Sequence, residues 1–270
     1  MNLRPSTSPN KRAATRGREA RRVFFTGVMF LTRVPACHLA DHEPGFLARS
    51  TAIWPLLGAL LGAASAAVFA ALLWMGMPAT FAACGALATT ASLTGCFHED
   101  AFADVCDGFG GYTPQKRLEI MRDSRVGAFG VVGLVLLLGA QLSLLSALSA
   151  PQAFYALVAA HALGRWSSVL LVWRVPYVAD AASLAKPLAA NVPATAFVSA
   201  TFWTLLALWP ASRLWPWSVP ALIGATTGFA ALWARFFRVW LGGLSGDALG
   251  AINMATQLLV LALVFRFVKA

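Results

Sequence analysis

Polarity along this chain changes on a coarse scale. Long apolar runs alternate with short polar stretches, and the apolar runs cover residues 51–75, 79–96, 127–149, 152–173, 192–212, 218–234 and 251–268. Each is about eighteen residues or longer, enough for a helix to cross a hydrocarbon core of ~30 Å. The runs are continuous, whereas a membrane β-barrel shows alternation in segments of about ten residues. The pattern therefore predicts an all-α, polytopic membrane bundle of about six to seven transmembrane helices. Gly58 and Gly62 in the first run have the spacing that lets two helices approach closely.

Two stretches break this rhythm. Residues 1–22 hold seven Lys or Arg and one Glu among Pro, Ser and Thr, and are expected to form a disordered basic cytoplasmic arm. The apolar segment after it is short, is interrupted by Arg33 and lacks a small-x-small cleavage site, so a signal peptide is rejected. An interfacial or re-entrant segment near the cytoplasmic face is expected instead. Residues 23–270 then form one membrane-embedded catalytic domain.

Composition strengthens this picture. The 270 residues are 59% hydrophobic and 12% charged, with a mean hydropathy of +0.68. Soluble domains carry about 25% charged residues. The net charge of +10 comes from basic residues placed mostly between the runs, as the positive-inside rule requires, and does not call for a nucleic-acid partner. With the amino terminus inside, the stretch after residue 96 and the loops 174–191 and 235–250 all fall on the cytoplasmic side. Cys37, Cys84, Cys96 and Cys106 form no CxxC pair and are expected as free thiols.

The candidate chemistry is concentrated in residues 95–127, GCFHEDAFADVCDGFGGYTPQKRLEIMRDSRVG. Six of the eleven acidic residues of the chain stand here: Glu99, Asp100, Asp104, Asp107, Glu119 and Asp123. If residues 97–108 continue the preceding helix, Asp100, Asp104 and Asp107 recur at i, i+4 and i+7 on one face, with Glu99 one residue off. Three carboxylates at that spacing repel one another unless a cation neutralises them. All-oxygen donors suit Mg²⁺, Mn²⁺ or Ca²⁺, and Mg²⁺ usually completes its shell with water and substrate phosphates. His98 is a neighbour able to move a proton or to hydrogen-bond. Gly108, Gly110 and Gly111 end the helix and expose backbone N–H groups. Lys116, Arg117, Arg122 and Arg125, with Asp123 beside them, offer donors to phosphate oxygens or pair with nearby acids. Arg165 is a charge inside an apolar run, a costly placement that points to function. Asp247 lies in a second glycine-rich loop and is expected to face the same site. Asn253 and Gln257, one turn apart, are expected to hydrogen-bond between helices. A transporter would place such acids near the bilayer midplane on broken helices, whereas this cluster follows the end of a run.

These residues resemble those of a known family. TGCFHEDAFADVCDGFGG followed by RLEIMRDSRVGAFG is similar to the central motif of the adenosylcobinamide-GDP ribazoletransferases, also called cobalamin-5′-phosphate synthases. FLTRVP at 30–35, GRWSSVLL at 164–171 with VPY at 175–177, and LGGLSGDALGA at 241–251 resemble its other segments in the same order. Ala101 departs from the glycine expected after HED. The resemblance implies a multi-pass enzyme of the bacterial inner membrane whose active site faces the cytoplasm. It implies Mg²⁺ as cofactor, held by Glu99, Asp100, Asp104 and Asp107. The substrates implied are adenosylcobinamide-GDP and α-ribazole or its 5′-phosphate, and GMP leaves. It is compatible with a homo-oligomer or with association with other corrinoid-pathway enzymes. A membrane phosphotransferase using a CDP-alcohol and a cation transporter are the competing readings.

Overall fold

A computed structural model describes residues 9–36, 38–40, 43–178, 188, 192–213 and 216–269. Its helices are α1 (Pro9–Leu31), α2 (Pro44–Ser50), α3 (Trp54–Trp74), α4 (Ala79–Thr94), α5 (Phe97–Asp107), α6 (Pro114–Ile120), α7 (Ala128–Ser146), α8 (Ala150–Arg174), α9 (Ala194–Ser212), α10 (Ser218–Trp240) and α11 (Gly246–Lys269). Among the described residues the β structure is a single bridge, Tyr177 to Leu244. Six helical stretches are long and apolar enough to cross a membrane: Gly45–Trp74, α7, α8, α9, α10 and α11. Helices α4 and α5 together form a bent pair that makes a seventh when counted as one span. The all-α polytopic bundle expected from the apolar runs is therefore what the chain forms.

Helix α8 is the central post. Its residues are buried almost all round, and α3 and α11 flank it. The α3 contact depends on Gly58 and Gly62: a Cβ at Gly58 would collide with the His161 carbonyl, and one at Gly62 with that of Leu157. The close-approach reading of this glycine pair is therefore met by a specific neighbour. Without a hydrophobic driving force inside lipid, such backbone proximity is the main source of contact energy.

Two boundaries differ from the sequence reading. Helix α1 runs unbroken from Pro9, across the expected end of the disordered arm at residue 22. Its Ala, Arg and Glu residues are good helix formers, and Glu19 pairs with Arg49 of α2. Residues 1–8 lie outside the described residues, as do Cys37 and most of the 174–191 loop. The second difference is that α5 does not continue α4 but turns from it by 93°. Gly95 (φ 65°) closes α4 in the left-handed conformation, and Cys96 follows it there (φ 58°). The Gly95 hydrogen also makes room for the Arg33 side chain, which a Cβ would strike.

This corner gathers the polar segments on one face of the bundle. Arg33 N–H donates to the Leu93 carbonyl at 2.8 Å, bringing the end of α1 to the end of α4. The segment after α8 meets the segment before α11 through Val178 N–H to Leu244 O at 2.8 Å and Leu244 N–H to Pro176 O at 3.0 Å. Helix α5 lies across this face and packs on the first turns of α11, where Ala101 sits against Gly250. Ala101, the departure from the expected glycine, is thus accommodated by a glycine on the partner helix.

Candidate active site

The faces of α5 separate its polar residues. His98, Ala101 and Val105 are buried toward the bundle, whereas Asp100 is exposed and Asp104 half-buried. No hydrogen bond from any described residue reaches the carboxylates of Asp100 or Asp104. Asp247, in the first turn of α11, lies within electrostatic range of both. Asp104 belongs to α5, outside the six spans. Burial pushes its carboxyl up to about 7, and the carboxylates of Asp247, Asp100 and Asp107 add to the rise. Arg122 also acts on Asp247 electrostatically.

Asp107 is engaged differently. Its Oδ2 accepts from Gly127 N–H at 2.7 Å and its Oδ1 from Gly130 N–H at 2.8 Å. Both donors are orphan groups at the start of α7, a helix with no acidic residue in its own first turn. A side chain at Gly127 or Gly130 would collide with that carboxylate, which explains the glycines of VGAFG. The i, i+4, i+7 stripe therefore divides after its second member, because the third carboxylate is used as a helix cap.

Most of the basic residues also have protein partners. Lys116 pairs with Glu119 at 2.8 Å on the surface and holds its carboxyl below the usual range. Arg125 pairs with Asp123 at 2.6 Å and lowers the Asp123 carboxyl to about 2. Arg117 donates from Nε to Gly111 O at 2.9 Å and from Nη1 to Trp240 O at 2.8 Å, and its guanidinium lies over the Trp240 ring. Gly108 and Gly111 permit this packing, since side chains there would strike Trp240 and Arg117; Gly110 stays exposed.

Below α5 is a buried polar cluster. Arg165 is 1% exposed; its Nη1 lies 2.8 Å from His161 Nδ1 and 3.4 Å from Asn253 Oδ1. Gln257 donates to the same Asn253 oxygen at 2.7 Å within α11, so the expected bond between helices is made by Asn253, to Arg165, and not by Gln257. His98 points into this interior rather than to the carboxylate face. Both its ring nitrogens are buried without a partner among the described residues, and burial, with Arg165 and His161 nearby, holds it neutral. Glu99 links the two regions. Burial raises its carboxyl, Oε2 has no hydrogen-bond partner among the described residues, and Arg165 acts on it electrostatically. Sequence reasoning passed over Gln141, a fully buried amide in α7; a lone Gln inside an apolar run was the available signal.

Among the described residues no three His, Cys, Asp or Glu side chains converge tightly enough to enclose a metal by themselves. The donor set nevertheless fits a hard cation that keeps water and phosphate in its shell. Asp100, Asp104 and Asp247 are oxygen donors held near one another without hydrogen-bond partners from other side chains.

The family model described as cobalamin-5-phosphate synthase, CobS, matches residues 23–265. A Leptothrix cholodnii protein named adenosylcobinamide-GDP ribazoletransferase is 40% identical, over 88% of this chain and 92% of its own length. Proteins of the same name from Ralstonia nicotianae and Leptospira interrogans are 37% and 32% identical, over 90% and 87% of this chain and 95% and 92% of their own. No solved structure matches the chain. The match spans the acidic helix, the buried polar cluster and the loop carrying Asp247, and by it the chain belongs to the CobS family.

Proposed function

We propose that this chain is a Mg²⁺-dependent phosphotransferase of the bacterial inner membrane. It joins adenosylcobinamide-GDP to α-ribazole, or to α-ribazole 5′-phosphate. The products are adenosylcobalamin, or its 5′-phosphate, and GMP. The observation that carries this reading is that Asp100 and Asp104 on α5 and Asp247 on α11 lie within electrostatic range of one another at one end of the bundle. Family membership supplies the substrates.

Asp100, Asp104 and Asp247 would hold the ion, with Glu99 behind them. The ion, when bound, offsets pyrophosphate charge and orients it. Arg122, which acts electrostatically on Asp247, would meet a phosphate on this face. The acceptor hydroxyl attacks the phosphorus nearer the corrinoid; the new P–O bond forms as the bond to the GMP oxygen breaks. A carboxylate of the cluster that does not hold the ion takes the hydroxyl proton at one of its oxygens. Arg165 and His161, buried beneath Glu99, support the site from inside and touch no solvent.

The cytoplasmic orientation rests on charge. Lys116, Arg117, Arg122, Arg125, Arg174, Arg235 and Arg238 lie on the face that carries the carboxylates, as Arg238 donating to the Arg174 carbonyl illustrates. The deciding experiment uses the full-length protein in lipid nanodiscs with Mg²⁺ and both substrates. GMP and a cobalamin product should appear together and vanish with EDTA. A folded sample that releases no GMP overturns the proposal.

A further inference from the structure

Helices α4, α5, α7 and α11 enclose a cleft of about 530 Å³ that shares Glu99 and Asp100 with the carboxylate site. Its walls are mainly apolar, with Ala88, Leu138 and Met254 among them, and its polar handles besides the acids include Gln141 and Gln257. Gln257 is already bonded to Asn253. Gln141 is not: it is 1% exposed, and its Nε2 has no partner among the described residues.

A buried amide donor without an acceptor is costly, and folded proteins rarely leave one unless something else fills the role. The cleft volume lies in the range of small-molecule sites. A lipid acyl chain would satisfy the apolar walls and leave the Gln141 donor unpaired. A flat aromatic heterocycle with an acceptor nitrogen in its ring plane satisfies both. We propose that this cleft seats the aromatic base of the acceptor alcohol, with Gln141 Nε2 donating to the ring nitrogen and the alcohol end directed to the Asp100 side of the cleft. This deepens the transferase reading and rests on it. The benzimidazole of α-ribazole has the required shape and one free acceptor nitrogen.

The test measures KM separately for α-ribazole and for adenosylcobinamide-GDP, with full-length protein in nanodiscs. Gln141→Leu keeps the shape and removes the donor. Gly139→Leu puts bulk at the cleft wall where an added Cβ meets nothing within 4 Å, so folding should survive. Each should raise the KM for α-ribazole about tenfold or more and leave that for the corrinoid within about twofold. As a check on the handle, 1-methylbenzimidazole should compete with α-ribazole about tenfold better than 1-methylindole, which lacks the acceptor nitrogen, and Gln141→Leu should erase that preference. If Gln141→Leu does not fold, Gly139→Leu decides alone.

The proposal is overturned if the α-ribazole KM stays unchanged in the folded variants, or if both KM values move together. It is also overturned if Gly139→Leu expels a retained phospholipid, detected by native mass spectrometry, without changing that KM. Equilibrium binding of labelled α-ribazole separates the two claims. Binding that Gly139→Leu abolishes, in a protein without turnover, sinks the transferase reading and keeps the cleft. Turnover with an unaffected α-ribazole KM sinks the cleft alone.

Discussion

The acidic motif holds two kinds of carboxylate that look identical in sequence. Asp100 and Asp104 receive no hydrogen bond from any described residue and face Asp247 across the α5–α11 contact. Asp107, at the end of the same helix, is buried and holds two backbone N–H groups of α7. A carboxylate whose oxygens are already bonded to the fold contributes mainly to stability. One kept near like charges without a partner is held ready for something that is not protein. The comparison thus splits one motif into a scaffolding part, bonded to the fold, and a part left open for the reactive role proposed above.

The largest effect should come from the reactive part. Asp104→Asn keeps the volume and removes the charge. Turnover should fall by about 10³-fold, at the upper end of what losing one electrostatic contributor costs. The melting temperature should stay the same or rise, since the substitution relieves repulsion with Asp247 and Asp100. A variant that loses stability and activity in parallel would erase the distinction between the two carboxylates.

Asp107→Ala should behave in the opposite way. It removes two hydrogen bonds to a charged, buried acceptor and leaves the start of α7 uncapped. Bonds to charged groups contribute about 1.5–3 kcal/mol each, so a loss of ~3 kcal/mol is expected in unfolding of the nanodisc-embedded protein. Mn²⁺ binding by the fraction that remains folded, followed by electron paramagnetic resonance, should keep its wild-type affinity. Weaker ion binding with unchanged stability would return Asp107 to the ion site.

An intermediate effect follows from pH. Asp104 is raised from its ordinary value to about 7, so the free protein holds that proton below neutrality. A cation must displace it, and protonation therefore weakens binding. Affinity for Mn²⁺ should rise with pH up to about 7, by at most tenfold per unit, and level off above it. For stability the sign is reversed. An acid with a raised folded pKa stabilises the fold while protonated and loses that contribution as pH rises through about 7. Ion binding that is flat from pH 5 to 8 would show that Asp104 stays outside the ion's shell.

How much of this was visible in the chain differs by element. The apolar runs marked the spans because lipid leaves little choice of residue, and their continuity excluded a barrel. The corner at Gly95 and Cys96 was hidden: a single glycine in an apolar run gives no angle, and the turn is fixed by Arg33 arriving from another helix. The acidic cluster was legible because acids are scarce elsewhere. Its internal division was not, because the partners of Asp107 come from Gly127 and Gly130, twenty or more residues away. Asp247 could be suspected from its glycine-rich loop, yet only the packing of Gly250 on Ala101 brings it to α5. Gln141 gave little signal, since its importance depends on what fails to reach it.

The smallest effect tests the scaffolding part at its surface. Lys116 pairs with Glu119 in an exposed i,i+3 arrangement, and Arg125 pairs with Asp123 in the next turn. Exposed pairs of this kind contribute little, because water screens them and two long side chains lose freedom. Lys116→Ala should therefore leave both the melting temperature and the KM for adenosylcobinamide-GDP nearly unchanged, within about twofold for the latter. Arg122→Ala, in the same loop and within electrostatic range of Asp247, should raise that KM about tenfold or more if its guanidinium meets a phosphate. Equal effects from the two substitutions would mean that the loop acts as a diffuse positive surface rather than through one placed guanidinium.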